Sequence, residues 1–124
     1  MISSSRRCHI ALIAGVPRET FPGERRVALT PRACETLIKV KLELIVESGA
    51  GVEAGFPDDE YAKRGVRLGS RADVFREAAI IVQARTPGAN PVSGCDDLPL
   101  FRPGQLLIGF GEPLTALREC SALG

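Results

Sequence analysis

Several short apolar runs without internal polar alternation constrain the fold of this chain more than any other feature. They are Ile10-Ala-Leu-Ile-Ala-Gly15, the centre of Lys41-Leu-Glu-Leu-Ile-Val-Glu47, Ala79-Ile-Ile-Val-Gln-Ala84 and Leu106-Leu-Ile-Gly-Phe110. A strand reads as continuously apolar when both of its faces are covered, which is the situation of a parallel sheet flanked by helices. Helix signals fall between the runs. Thr30-Pro31 supplies an N-cap and a proline at the first helical position, with Glu35 adding acidity and Leu37, Ile38 and Val40 following over about ten residues. Asp58–Arg64 reads as a short helix closed by Gly65, Val66–Leu68 as a brief strand, and Ser70 as the cap of a helix over Arg71–Ala78 whose Val74, Phe75 and Ala78 share a face. Pro113–Ala122 reads as a further helix. Strand and helix alternating in this way predict β-α-β units, hence an α/β fold: an open, mostly parallel sheet of about five strands with flanking helices, resembling an incomplete flavodoxin-like or Rossmann-like half.

The chain has 124 residues, which allows one domain, expected over 10–124 behind a short flexible tail at 1–9. Charged residues at 25% and apolar residues at 44% exclude intrinsic disorder, a coiled coil and a disulfide miniprotein. A formal net charge of +1 excludes a nucleic-acid or membrane-surface role driven by bulk charge. Cys8, Cys34, Cys95 and Cys120 lie far apart with no C-x-x-C, so reduced and mostly buried thiols are expected rather than a zinc site. The start, Met1 to His9, is free of acids and precedes an apolar stretch, imitating a signal peptide. That stretch stops at Pro17-Arg18-Glu19, lacks a small-x-small cleavage site, and is too short to span a bilayer. Residues 1–8 and the Gly/Pro/Asn-rich loop 86–99 are expected to be the least ordered.

A content of 13 Gly and 9 Pro marks a turn-rich chain. Gly49-Ala-Gly51-Val-Glu-Ala-Gly55 follows a strand and invites a dinucleotide-binding reading. That fingerprint needs G-x-G-x-x-G, with its last glycine where a helix begins to pack on the strand and the pyrophosphate on the helix amino end. Here the spacing is G-x-G-x-x-x-G, and Phe56-Pro57 intervene before the next helical pattern at Asp58. A tight connection using positive-φ glycines is expected instead of a phosphate cradle.

The ordered landmarks Gly15-Val-Pro-Arg-Glu-Thr20, Pro22-Gly-Glu-Arg-Arg-Val-Ala-Leu-Thr-Pro31, Val46-Glu-Ser-Gly-Ala-Gly51 with Ala54-Gly-Phe56, Arg102-Pro-Gly-Gln105 and Ile108-Gly-Phe110 carry a resemblance over roughly residues 10–118. They resemble the amino-terminal region shared by alanine dehydrogenases and the alpha subunit of proton-translocating NAD(P) transhydrogenase. In alanine dehydrogenases the fourth strand leads into Lys-Val-Lys-Glu-Pro, whose second Lys contacts substrate, and the fifth leads to a His. Here Arg85 stands at the lysine's position and Glu112 at the histidine's. An arginine does not give up a proton near neutral pH, so the exchange is not conservative. The Ile-Gly-Phe-x-acidic-Pro-Leu run resembles the transhydrogenase branch. Arg26 keeps the family's arginine, which in alanine dehydrogenases binds the substrate carboxylate through a bidentate contact. In the other branch it is expected to hold the 18–26 loop.

The resemblance implies that NAD(H) binds a separate Rossmann domain of the full subunit, that NADP(H) binds a partner subunit, and that helices returning after the Rossmann domain complete the amino-terminal one. No catalytic residue and no cofactor-binding residue is expected within this chain, and by itself it is expected not to catalyse hydride transfer. The implied partners are the remaining transhydrogenase domains or subunits, with a homodimeric alpha subunit, in the aqueous phase on the cytoplasmic side of a membrane-associated complex. Two other functions remain open at this point: an alanine-dehydrogenase-like amino-acid oxidoreductase domain using Arg26 and Arg85, and a non-catalytic interaction module or truncated product whose apolar edge pairs with another chain.

Overall fold

A computed structural model describes residues 12–86, 90 and 94–110. Within them lie the strands β1 (Ile13–Val16), β2 (Glu43–Glu47), β3 (Arg67–Gly69), β4 (Ile80–Arg85) and β5 (Leu106–Phe110), and the helices α1 (Pro31–Lys39), α2 (Asp58–Ala62) and α3 (Arg71–Glu77). The strands form one sheet in the order β3-β2-β1-β4-β5, and every pairing is parallel. From β1 the chain walks outward through β2 to β3. Helix α3 then carries it back past β1 to β4, so the order reverses between β1 and β4. A crevice opens outside the carboxyl ends of the strands at such a reversal, and ligands of α/β sheets bind there.

The local signals account for the helices. The Thr30 hydroxyl accepts the Ala33 N–H at 3.2 Å with Pro31 inside the first turn. Ser70 and Asp73 form a reciprocal capping box that starts α3, worth about 1 kcal/mol by the usual cost of losing a cap. Gly65 follows α2 at a φ of 88°. Glu35 lies beyond the first turn of α1, which holds no acid. Other boundaries move by one to three residues: β1 is Ile13–Val16, β3 is Arg67–Gly69, and α2 stops at Ala62. The expected loop 86–99 is more structured than its composition implied, since Gly94–Leu100 forms a 3-10 helix and Thr86, Asn90 and Asp97 are buried. The tail 1–9, residues 10–11 of the first apolar run and the helix expected at 113–122 lie outside the described residues.

Two apolar layers sandwich the inner strands. On one face, Ala14 and Val16 of β1 and Leu44 and Val46 of β2 pack with Cys34 of α1 and Tyr61 of α2. On the other, Ile45 and Ile81 pack with Val74 and Phe75 of α3 and with Ala78, joined by Leu100, Phe101 and Leu107. The Phe75 and Phe101 rings meet edge to face at 5.0 Å between centroids. Cys34 is buried and reduced, and burial pushes its thiol up to about 11. Gly15 sets the depth of the second layer: a Cβ there would come within 2.7 Å of the Ala78 Cβ and 2.8 Å of Val74. Only a residue without a side chain lets α3 approach β1 this closely.

The Arg102-Pro-Gly-Gln105 segment has a structural use. Gly104 turns at a φ of 86°. The Gln105 amide donates to the carbonyls of Phe75 at 2.6 Å and Ala78 at 2.8 Å, and Arg102 donates to Ala78 at 2.9 Å. These side chains satisfy carbonyls that the end of α3 leaves without intrahelical partners.

Candidate functional site at the reversal of the sheet

The loop after β1 runs over the crevice between β1 and β4, and its acids bind the end of β4. The Glu19 carboxylate accepts the Ala84 N–H at 2.7 Å and the Arg85 N–H at 3.0 Å. Parallel pairing of β1 with β4 covers only Ala14 with Ile80 and Gly15 with Ile81. Glu19 thus supplies acceptors to β4 amides beyond the strand pairing. Burial raises its carboxyl above the ordinary value, with the two amide hydrogen bonds pulling the other way.

Glu24, in the same loop, joins the two arginines singled out from sequence. Its Oε1 accepts Arg26 Nε at 2.7 Å and the Arg26 backbone N–H at 3.1 Å. Its Oε2 accepts an Arg26 terminal nitrogen at 2.6 Å and Arg85 Nε at 3.2 Å. The Arg85 guanidinium also stacks over the Phe21 ring at 4.0 Å, a favourable cation–π arrangement. The Arg26 hydrogen bond is the main reason the Glu24 carboxyl is held down to about 2. Earlier in the loop, the Thr20 hydroxyl accepts the Asn90 amide at 2.8 Å.

Arg71, the first residue of α3, pins the same end of the sheet from the other side. It makes two hydrogen bonds to Asp97, at 2.8 and 2.6 Å, and donates to Glu47 at the end of β2 and to the Arg18 carbonyl, both at 2.8 Å. Burial works against its charge, but Asp97 and Glu47 more than offset this and the guanidinium stays protonated.

The arrangement therefore brings Arg26 and Arg85 together through Glu24, while Glu112 lies outside the described residues. Sequence reasoning passed over Glu19 and Glu24. An acid two residues before Arg26 was the available signal for Glu24, whereas nothing local marks Glu19, whose partners lie 65 and 66 positions away. A pocket of about 410 Å³ opens beside the loop, bordered by Phe21, Glu24, Arg26 and the Gly49-Ala50 turn.

In the glycine segment the amides of Ala50, Val52, Ala54, Gly55 and Phe56 all donate to nearby backbone carbonyls, and Gly49 donates to the Asp58 carboxylate. Gly49 and Gly55 take the positive-φ turns. Gly51 instead allows close packing, because a Cβ there would meet the Phe56 carbonyl and the Tyr61 ring at 2.7 Å. The segment is a folded connection in which these six amides are already committed.

Residues 15–123 match the family described as alanine dehydrogenase/PNT, N-terminal domain. The chain belongs to this family. A relative named NAD(P) transhydrogenase subunit alpha, from Cereibacter sphaeroides, is 42% identical over 100 residues, which is 80% of this chain and 18% of that protein. An alanine dehydrogenase from Methanococcus maripaludis is 30% identical over 100 residues, 80% of this chain and 25% of that protein. The solved structure of a transhydrogenase from Sinorhizobium meliloti superposes with a TM-score of 0.79 at 30% identity, covering 90% of this chain and 31% of that one. This alanine dehydrogenase/PNT amino-terminal domain thus spans less than a third of each of these relatives. Among its described residues no helix is long and apolar enough to cross a membrane.

Proposed function

We propose that this chain is the amino-terminal portion of an NAD(P) transhydrogenase alpha subunit. In that role it supports hydride transfer between NAD(H), bound elsewhere in the subunit, and NADP(H), bound by a partner subunit, coupled to proton translocation in the full complex. The nicotinamide does the redox work and the protein supplies position. The observation that carries the reading is the acidic loop seated over the crevice at the sheet reversal. Glu19 sits at that crevice, six amides of the glycine segment after β2 are committed to nearby acceptors, and a carboxylate at the crevice repels a pyrophosphate. A chain built this way contributes packing and partner contacts rather than a cofactor site of its own. The 42% identity to a transhydrogenase alpha subunit supports the choice of branch, as does Arg85 in place of a substrate-contacting lysine.

An uncovered sheet face supports the same reading. Val82 of β4 pairs with Ile108 of β5, and Leu106 and Ile108 are 54% and 48% exposed. Val82 and Ile108 border a pocket of about 500 Å³ that also touches Val27, Ala28 and Ala84. The remaining parts of the alpha subunit are the proposed occupant, in the aqueous phase on the cytoplasmic side. Isothermal titration of this chain with NADH is expected to give no saturable heat, and micromolar binding would overturn the proposal.

The meeting of Arg26 and Arg85 favours one second reading, an alanine-dehydrogenase-like oxidoreductase domain. Pyruvate binding by the unaltered chain, lost on Arg26→Ala, would establish that reading in place of the first.

A further inference from the structure

The backbone of Arg18 is gripped on both sides. Its N–H donates to Glu47 Oε1 at 2.8 Å, and its carbonyl accepts a terminal nitrogen of Arg71, also at 2.8 Å. That nitrogen donates to the same Glu47 oxygen, so the loop after β1, the end of β2 and the start of α3 share one closed ring of hydrogen bonds. Pro17, just before it, is fully buried, and just after it the Glu19 carboxylate takes the Ala84 and Arg85 amides. Arg18 is thus the root from which the loop 18–26 rises over the crevice.

The ring depends on a more distant residue. Nε and the second terminal nitrogen of Arg71 fork onto both oxygens of Asp97, and the Phe75 ring lies 5.6 Å from the guanidinium carbon. A guanidinium is planar, so the fork on Asp97 sets the direction of the nitrogen that serves Arg18 and Glu47. Glu47 alone can hold the Arg18 N–H, but an ionised acid has no donor to offer the carbonyl. Asp97 belongs to the 3-10 helix Gly94–Leu100, and its side chain is 5% exposed against 21% for Arg71 and 17% for Glu47. The most deeply buried member of the group therefore comes from the connection between β4 and β5.

We propose that Arg71 is a latch coupling that connection to the loop 18–26. With Asp97 seated, the loop is held over the crevice at the sheet reversal; displacing Gly94–Leu100 loosens the loop root and, with it, the grip of Glu19 on β4. Coupling free energy is reciprocal, so displacing the loop also loosens the connection. The state of the crevice is thereby tied to a segment that borders neither pocket described above. This goes beyond the functional reading and stands apart from it: NADH titration tests that reading, and amide exchange tests the latch.

The test is hydrogen exchange of the full chain, read at the Ala84 and Arg85 amides, whose acceptor is Glu19. Asp97→Asn keeps the shape of the side chain and removes its charge. It should speed exchange at both amides at least about tenfold, as the loss of a tie does within a locally opening unit, while α1 keeps its wild-type rates. Acceleration confined to Gly94–Leu100, with Ala84 and Arg85 within about twofold of wild type, would overturn the proposal, and so would equal acceleration of α1. If Asp97→Asn does not fold, Arg71→Lys decides by the same readings, because it retains the charge without the planar fork. A double-mutant cycle gives an independent check. The stability losses of Asp97→Asn and Glu19→Gln should together fall short of their sum, whereas Asp97→Asn with Thr30→Ala, at the cap of α1, should be additive. Additivity of the first pair refutes the latch.

Discussion

The two halves of the sheet are finished to different degrees. Across β1 and β2, helices cover both faces, and Val16, Val46 and Ile45 are at most 1% exposed. Across β4 and β5, the face shared with Leu107 is covered by Leu100 and Phe101, while the opposite face leaves Leu106 and Ile108 about half exposed. All of these strands were written with the same apolar vocabulary, so burial is not set by the strand's own sequence. It is set by what the connections bring back over it. The difference separates a half that can sustain its own core from a half whose apolar face is available for contact.

The most severe way to break this contrast is to empty the layer that both halves share. Phe75 packs in the cluster holding Ile45 of β2 and Ile81 of β4. Phe75→Ala should cost about 3–5 kcal/mol, read as a lowered urea midpoint with little change in slope. A loss below about 1 kcal/mol would mean that the layer does not join the halves.

Next in size is the polar tie across the same boundary. Asp97, 4% exposed, takes two hydrogen bonds from Arg71, which also binds Glu47 at the end of β2. Arg71→Ala leaves Asp97 with a buried charge deprived of its cation, an error that costs about 3 kcal/mol when burial is complete and less here because Arg71 retains some exposure. The change should also raise amide exchange in the Gly94–Leu100 segment more than in α1. Uniform acceleration would argue against a local tie.

The two acids of the β1 loop give a smaller, pH-dependent effect. For Glu24 the folded carboxyl lies below its ordinary 4.5, at about 2, so its contribution is present above pH 4.5 and lost as pH falls toward 2. For Glu19 the folded value is raised, so protonation relieves a cost and works in the opposite direction. The stability difference between wild type and Glu24→Gln should therefore be flat above about pH 5.5 and shrink as pH falls toward 2, where the folded carboxyl takes up its proton. A difference that persists unchanged at pH 2 would assign the effect to packing instead of charge.

The smallest expected effect sharpens the contrast most. Leu106→Thr with Ile108→Thr should alter stability by no more than about 0.5 kcal/mol, as exposed substitutions do, while reducing binding of a hydrophobic dye and any self-association. A loss of several kcal/mol would show that this face is covered within the chain after all.

Much of this architecture is legible in the sequence because its causes are local. Thr30, Ser70 and Gly65 announce helix ends through their own chemistry, and β5 runs over the expected residues because its apolar run is bounded by a Pro-Gly turn. The 3-10 helix at Gly94–Leu100 was hidden by a composition of glycine, proline and acids that reads as loop. Its anchor is Asp97, held by an arginine 26 positions earlier. The site was half legible for the same reason. Arg26 and Arg85 stand out by residue type, but the acid that joins them sits two positions from one and 61 from the other. No local pattern encodes a meeting at that distance.

The tie from Arg102 and Gln105 to the end of α3 has a consequence for how β5 finds its place. Strands in a parallel sheet have no hairpin to dictate register, and a slip of one residue exchanges the two faces of a strand. The tie fixes the chain at Gln105 against the Phe75 and Ala78 carbonyls, immediately before Leu106 pairs with Ile80. Helix α3 thus acts as the ruler for an edge strand that follows it by two elements. The face left open beside β5 is thereby presented in a single alignment.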